Sequence, residues 1–243
     1  MNRFYYDMHI HSCLSPCGDN DSTPDSIVGM GELNGLNIMA LTDHNSCKNC
    51  PAFFKAAERH EVTAVAGMEL TTAEDIHIVC LFDSLEGAMD FDNLVSKNRI
   101  LIENRSDIFG DQLVVDSEDN IISREEHLLI NATNFTIEQI PSLCSSYGGI
   151  CYPAHIDRES NGIIAVLGVF PTEPRFNFAE LHDRMLLDKY SQSTGISKNR
   201  FIVSSDAHYL WDINEKQDYI SLDAEGFGRE VRKSLFEFLR GER

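Results

Sequence analysis

The chain has 243 residues, 42% hydrophobic and 24% charged, with a formal net charge of −19. This is the composition of one ordinary globular core. The acidity argues against a long nucleic-acid partner, which would need Lys or Arg against its phosphates, and the longest apolar run, 162–170, is too short to span a membrane.

In chain order, apolar β-rich runs are read at 4–10, 38–42, 62–70, 76–82, 149–154, 176–181, 201–205 and 218–222. Helices are expected between them. The first, Thr23–Leu33, has Thr23 as N-cap and Pro24 in its first turn. Others are expected at Ala52–His60, Ile137–Tyr147, Phe178–Tyr190 (shared ambiguously with a strand) and Gly228–Arg240. Such alternation predicts a mainly parallel α/β sheet or barrel within a single domain spanning 1–243. Residues 83–135 break the rhythm. From Asp83 to His127 the segment carries twelve acidic and four basic residues, and it reads as an insertion: an acidic-turned hairpin, a lid, or a solvated excursion. Since the first residues run straight into the polar strand, no signal peptide is expected. The seven cysteines, an odd number, read as reduced thiols, so a cytoplasmic protein is expected.

Chemistry-bearing residues gather at strand ends. Asp7, His9 and His11 alternate, which predicts one strand face and a metal site or a solvated polar edge. Asp43 and His44 end the second strand, Glu69 ends the third and His77 begins the fourth. His155 and the pair Asp206 and His208 end later ones. In parallel barrels these ends converge on one face. His60, His127 and His182 fall outside the motifs and read as surface or structural.

The motifs DMHIH, TDHN, GMEL, DIHIV, AHID and SDAH, in this order, resemble those of the PHP-domain (polymerase and histidinol phosphatase) family. The resemblance implies a distorted (β/α)7 TIM-like barrel with two to three divalent metal ions, Mn, Fe or Zn. It also implies phosphoester hydrolysis by a metal-bridged hydroxide. His9, His11 and Asp206 would bind a first metal; Glu69 would bridge to a second, completed by His77 and His155; His44 and His208 would hold a third. Asp7 and Asp43 would orient the imidazoles from behind. The third site departs from the family, which often has histidine where Cys17 stands; Cys17 is the expected ligand and Asp19 the alternative. A rival reading joins Cys13, Cys17, Cys47 and Cys50 as a thiolate zinc site, or Cys47 and Cys50 as a redox pair.

Arg158 is a natural phosphate clamp or a surface salt bridge, and Asn45 and Tyr209 flank ligands and could touch substrate. Catalysis is assigned to Asp206, His208 and Arg158. The expected substrate is a small phosphorylated compound, nucleotide-like or a short oligonucleotide. A histidinol-phosphate-type phosphatase and a non-catalytic metal-bound regulatory module are the alternatives.

Overall fold

The computed structural model describes residues 1–242. Its first elements are β1 (Asn2–Ile10), α1 (Pro24–Leu33), β2 (Ile38–Leu41), α2 (Cys50–Arg59), β3 (Thr63–Thr71) and β4 (His77–Phe82). There follow α3 (Leu85–Ser96), α4 (Ser106–Phe109), β5 (Leu113–Val115), β6 (Ile121–Arg124), α5 (Ile140–Ser146) and β7 (Gly149–Pro153). The chain continues through α6 (Ile163–Leu167), β8 (Ala179–Leu181), α7 (Leu187–Thr194), β9 (Phe201–Val203), β10 (Tyr219–Leu222) and α8 (Arg229–Arg240).

Six strands form one sheet in the order β10-β1-β2-β3-β4-β7. β1, β2 and β3 run parallel; β10 is antiparallel to β1, and β4 is antiparallel to β3 and β7. β8 and β9 form a separate parallel pair. It is tied to β7 by Ile156 N–H donating to the Glu180 carbonyl, and to β1 by His11 N–H donating to the Ala207 carbonyl. The fold is thus mixed α/β with a half-barrel sheet. Its departure from uniform βα units has a simple cause. Only residues 72–76 join β3 to β4, too few for a crossover helix, so the two strands turn back as a hairpin.

The sheet sorts its side chains into two layers. Met39, Leu41, Ala64, Ala66, Met68, Ile78 and Cys80 pack with the helices on one face. Phe4, Tyr6, Met8, Ile38, Val65, Val79, Leu81 and Tyr152 fill the other, with Val231, Leu235 and Phe236 of α8. The second set is the apolar floor on which the polar residues of the same face stand. Gly67 marks the step between floor and polar layer. A Cβ there would lie 2.8 Å from the Cys80 carbonyl and 2.9 Å from the Thr42 methyl, so only glycine fits.

β1 carries one extra residue. Asp7 pairs with Met39 and Ile10 with Leu41, with a register shift between them. Paired residues share a face, so the bulge puts Asp7 and Ile10 on the helix side and sends His9 and His11 to the other. The expectation that Asp7 alternates in line with the two histidines is therefore corrected: the bulge intervenes.

α1 forms as expected, with the Thr23 hydroxyl accepting from Ser26 N–H. The ambiguous stretch 178–190 resolves in favour of the strand: Ala179–Leu181 pairs with Phe201–Val203, and the helix starts only at Leu187. α3 lies inside the segment read as an insertion, capped by Ser84. β5 and β6 form the hairpin, and Asp116 accepts from Glu118 N–H and Asn120 N–H at its acidic turn. The segment is fastened to the loops after β1 and β3. Leu113 N–H donates to the Cys13 carbonyl, and Thr133 N–H to the Thr71 carbonyl. Among the described residues no helix is long and apolar enough to cross a membrane.

Candidate metal centre

His9 and His11 are fully buried, and each ring is held from behind. His9 Nδ1 lies 2.8 Å from Glu180 Oε1. A carboxylate can only accept, so Nδ1 carries the proton. His11 Nδ1 lies 2.9 Å from Ser15 Oγ, whose own proton goes to Asp43 Oδ1 at 2.7 Å. Asp43 also accepts from Ser12 N–H and Ser12 Oγ–H, both at 2.7 Å. Both Nε2 atoms are therefore the ones that point into the shared space, where they face each other at 3.1 Å.

Carboxylates close the same space. His9 Nε2 lies 3.4 Å from Glu69 Oε1 and 3.4 Å from Asp206 Oδ1. His11 Nε2 lies 3.4 Å from Glu69 Oε2 and 3.1 Å from Asp206 Oδ1. Close to Glu69 also lie His44 Nδ1 at 2.9 Å, His77 Nδ1 at 2.8 Å and His155 Nε2 at 3.0 Å, of which the His155 contact has hydrogen-bond geometry. Five imidazoles converge on two oxygens, more than those oxygens can satisfy as hydrogen-bond acceptors. Both ring nitrogens of His44 and Nδ1 of His155 are buried without a hydrogen-bond partner. Such orphaned atoms cost a few kcal/mol each. Cations among them would convert every lone pair into a ligand bond.

Among the described residues, three groups have ligand atoms close enough to share an ion: His9, His11, Glu69 and Asp206; His44, Glu69 and His77; His11, His44 and His208. His155 reaches Glu69 from the side of His77, with ring centroids 5.4 Å apart. His155 and Asp206 both sit at positive φ, 26° and 52°, where the chain turns sharply past a strand end.

The electrostatics follow from burial and proximity. Burial alone would depress His11, but hydrogen bonds to Asp206 and Glu69 outweigh it and push the ring up to about 9. His9 is likewise raised against its burial, chiefly by Glu180 and Glu69. Burial would raise Glu69, but His77, His9 and His44 hold its carboxyl well below the usual range. Burial drives His44 down to about 3 and His208 to about 4. A field that holds protons on buried imidazoles is one that also holds metal cations.

A cavity of ≈ 500 Å³ opens beside this cluster, lined by Cys17, Arg158, His182, Asp206, His208 and Tyr209 among others. Arg158 Nη1 is ion-paired to Asp206 Oδ2, and its Nη2 lies 3.2 Å from His182 Nδ1. Cys17 lines the cavity but belongs to none of the three groups. The residue is exposed, but partial desolvation of its sulfur and the Glu69 charge raise the thiol. Asp19 turns inward on its own loop, accepting from Asp21 N–H at 2.8 Å.

Several expectations need correction. Asn45 is no substrate contact: it is buried, donates to the carbonyls of Leu129 and Asn131, and accepts from Thr71 N–H. Its amide is consumed in pinning chain segments together. Asp7 accepts from the backbone N–H groups of His9, Ser205 and Asn214. It anchors backbone rather than imidazole. The thiolate zinc site finds no support: Cys13 faces the Leu113 carbonyl and Cys47 the Gly67 carbonyl. Sequence reasoning missed Glu180, which lay in the stretch of mixed strand and helix signal. It missed Ser15, a plain loop serine, and it set aside His182, which lines the cavity.

A family model described as PHP domain matches residues 7–162, more than half of the chain. A 5'-3' exoribonuclease from Haemophilus influenzae is 31% identical over 112 residues, 44% of this chain and 39% of its own length. Among solved structures, the lesion-specific endonuclease PfuEndoQ from Pyrococcus furiosus superposes with a TM-score of 0.62 at 19% identity, over 96% of this chain and 55% of that one. An endonuclease Q complex with a 27-mer duplex substrate carrying an abasic lesion gives a TM-score of 0.64 at 17% identity, over 99% and 57%. The chain spans less than two thirds of each of these relatives. Their names overturn the expectation that acidity excludes long nucleic acid. Net charge is a sum over the surface, whereas a phosphate meets only the local field of the site.

Proposed function

The chain belongs to the PHP-domain family, and from that premise we propose that it hydrolyses phosphoesters of nucleotides or of nucleic-acid ends with two to three divalent cations, Mn, Fe or Zn. The observation that carries this reading is the convergence of five imidazoles on Glu69, with the Nε2 atoms of His9 and His11 3.1 Å apart and both ring nitrogens of His44 without a hydrogen-bond partner. Two carboxylate oxygens cannot serve every one of these nitrogens, and cations can.

His9, His11, Glu69 and Asp206 would hold one ion; Glu69, His77 and His155 a second; His44 and His208 a third, with Cys17 as the nearby thiol ligand. When bound, such ions neutralise phosphate charge and make water nucleophilic near neutral pH. The chain's own residues do the rest. Glu180 and the Ser15–Asp43 relay hold His9 and His11 from their Nδ1 sides, so their Nε2 atoms face the ion site. Arg158, on the cavity wall, clamps a phosphate oxygen in place of Asp206.

Elemental analysis of the purified chain, followed by phosphate- and nucleotide-release assays, tests this reading. The panel spans mononucleotides, single strands and duplexes, with chelated and metal-restored protein side by side. Expected are two to three ions per chain, with hydrolysis lost on chelation and regained on restoration. Full metal occupancy with no product from any substrate overturns hydrolysis and leaves a metal-bound module. A Cys17→Ala variant that keeps every ion removes that thiol from the ligand set.

A further inference from the structure

We infer that Tyr209 and Trp211 form a stacking platform that holds a nucleobase of the substrate beside the metal centre. This deepens the nucleotide reading above and rests on it for the identity of the substrate.

Trp211 is the chain's one tryptophan, yet it is 74% exposed, and Tyr209 is 40% exposed. Their rings stack nearly parallel, with centroids 4.8 Å apart and planes 15° from each other. A two-ring stack open to solvent is a surface that another flat ring can extend.

Its placement joins it to the chemistry. Tyr209 directly follows His208, and both line the ≈ 500 Å³ cavity. His208 in turn belongs to the group formed with His11 and His44. Arg158 and His182 line the same cavity. A phosphate at the metal ligands and a base on the adjacent platform match the two ends of a nucleotide.

The platform is also rooted. Asp212 N–H donates to the Tyr209 carbonyl at 3.0 Å, closing a tight turn. Ile213 is buried, and Asn214 N–H donates to Asp7 Oδ2 at 3.1 Å. The aromatic pair is thereby tied to β1, the strand that carries His9 and leads directly into His11.

Charge gives a reason for this mode of binding. On a chain of net charge −19, contacts to a polyphosphate backbone supply little affinity away from the metals. Base stacking needs no cation and tolerates any base, because every base has a π face.

Because Trp211 is the chain's one tryptophan, its fluorescence reports on the stack without labelling. Metal-loaded full chain is titrated with adenosine 5'-monophosphate and, separately, with ribose 5-phosphate, which lacks only the base. The expected result is a saturable change in Trp211 emission with the nucleotide and none with the sugar phosphate. The affinity ratio of the two ligands, measured by calorimetry, should fall on the order of tenfold in Tyr209→Ala and recover in Tyr209→Phe. Equal affinities for both ligands, or a ratio unmoved in Tyr209→Ala, overturn the platform. So does an unchanged emission with the nucleotide. If no ester is hydrolysed while the base-dependent emission change persists, the hydrolytic reading fails and the platform stands.

Discussion

The two sides of the candidate metal centre are built differently. On the β1–β4 side, His9, Glu69 and His77 sit within paired strands, and neighbouring strands fix where each points. On the other side, His155, Asp206 and His208 lie past the ends of short strands, the first two at positive φ. The strand-borne side is positioned by sheet register. The loop-borne side is positioned by individual hydrogen bonds, such as His155 N–H to Glu180 Oε1 at 3.1 Å and Ser205 N–H to Asp7 Oδ1 at 3.1 Å. A ladder spreads strain over many bonds, whereas a lone carboxylate concentrates it.

Glu180 is where the two sides meet, since one oxygen serves both the His9 ring and the His155 backbone. Breaking it should therefore have the largest effect. Glu180→Gln should lower metal affinity or hydrolysis by ~10- to 100-fold, with near-native secondary structure by circular dichroism. A variant with wild-type metal affinity would show that register alone holds His9.

Proton competition sharpens the contrast. The His11 pKa of about 9 lies above neutral pH, so the empty four-residue group keeps a proton that an entering ion must displace. Between pH 6 and 8, apparent affinity there should rise ~10-fold per pH unit for each proton displaced. His44 and His208, at about 3 and 4, are already neutral in that range and add no such slope. Calorimetric metal titrations at several pH values, in buffers of different ionisation heat, count the protons released. A flat profile would place the first ion elsewhere.

The smallest effect on the cluster is expected at Asn45. Asn45→Ala removes two donors and one acceptor from buried partners, which should cost ~1–3 kcal/mol of stability. Thermal melts should shift downward while metal content stays full. A loss of metal with an unshifted melt would return Asn45 to the site.

Much of this cluster is legible in the sequence, for a physical reason. His9, Glu69 and His77 stand on strands, and His11 directly follows one, where period and apolar context reveal a face. Asp206 and His208 declare themselves by a two-residue spacing beside small residues. What stays hidden depends on tertiary contact. The bulge that takes Asp7 out of line exists only in the pairing of β1 with β2. Glu180 reads as an ordinary surface carboxylate until β8 pairs with β9 and turns it inward. The antiparallel β4 follows from a connection length that is plain in the sequence once strand ends are known, but those ends are set by pairing.

The cluster draws on both ends of the chain, and this has a consequence for biogenesis. His11 meets Asp206 across 195 positions of sequence. At ~5–20 residues per second of synthesis, roughly ten to forty seconds separate the emergence of the two. During that interval the nascent chain comes to display His9, His11, His44, Glu69 and His77 without the carboxylates that complete their cage. Metal captured then is held by a partial ligand set, and late closure by Glu180 and Asp206 gives the folding chain an opportunity to exchange one cation for another.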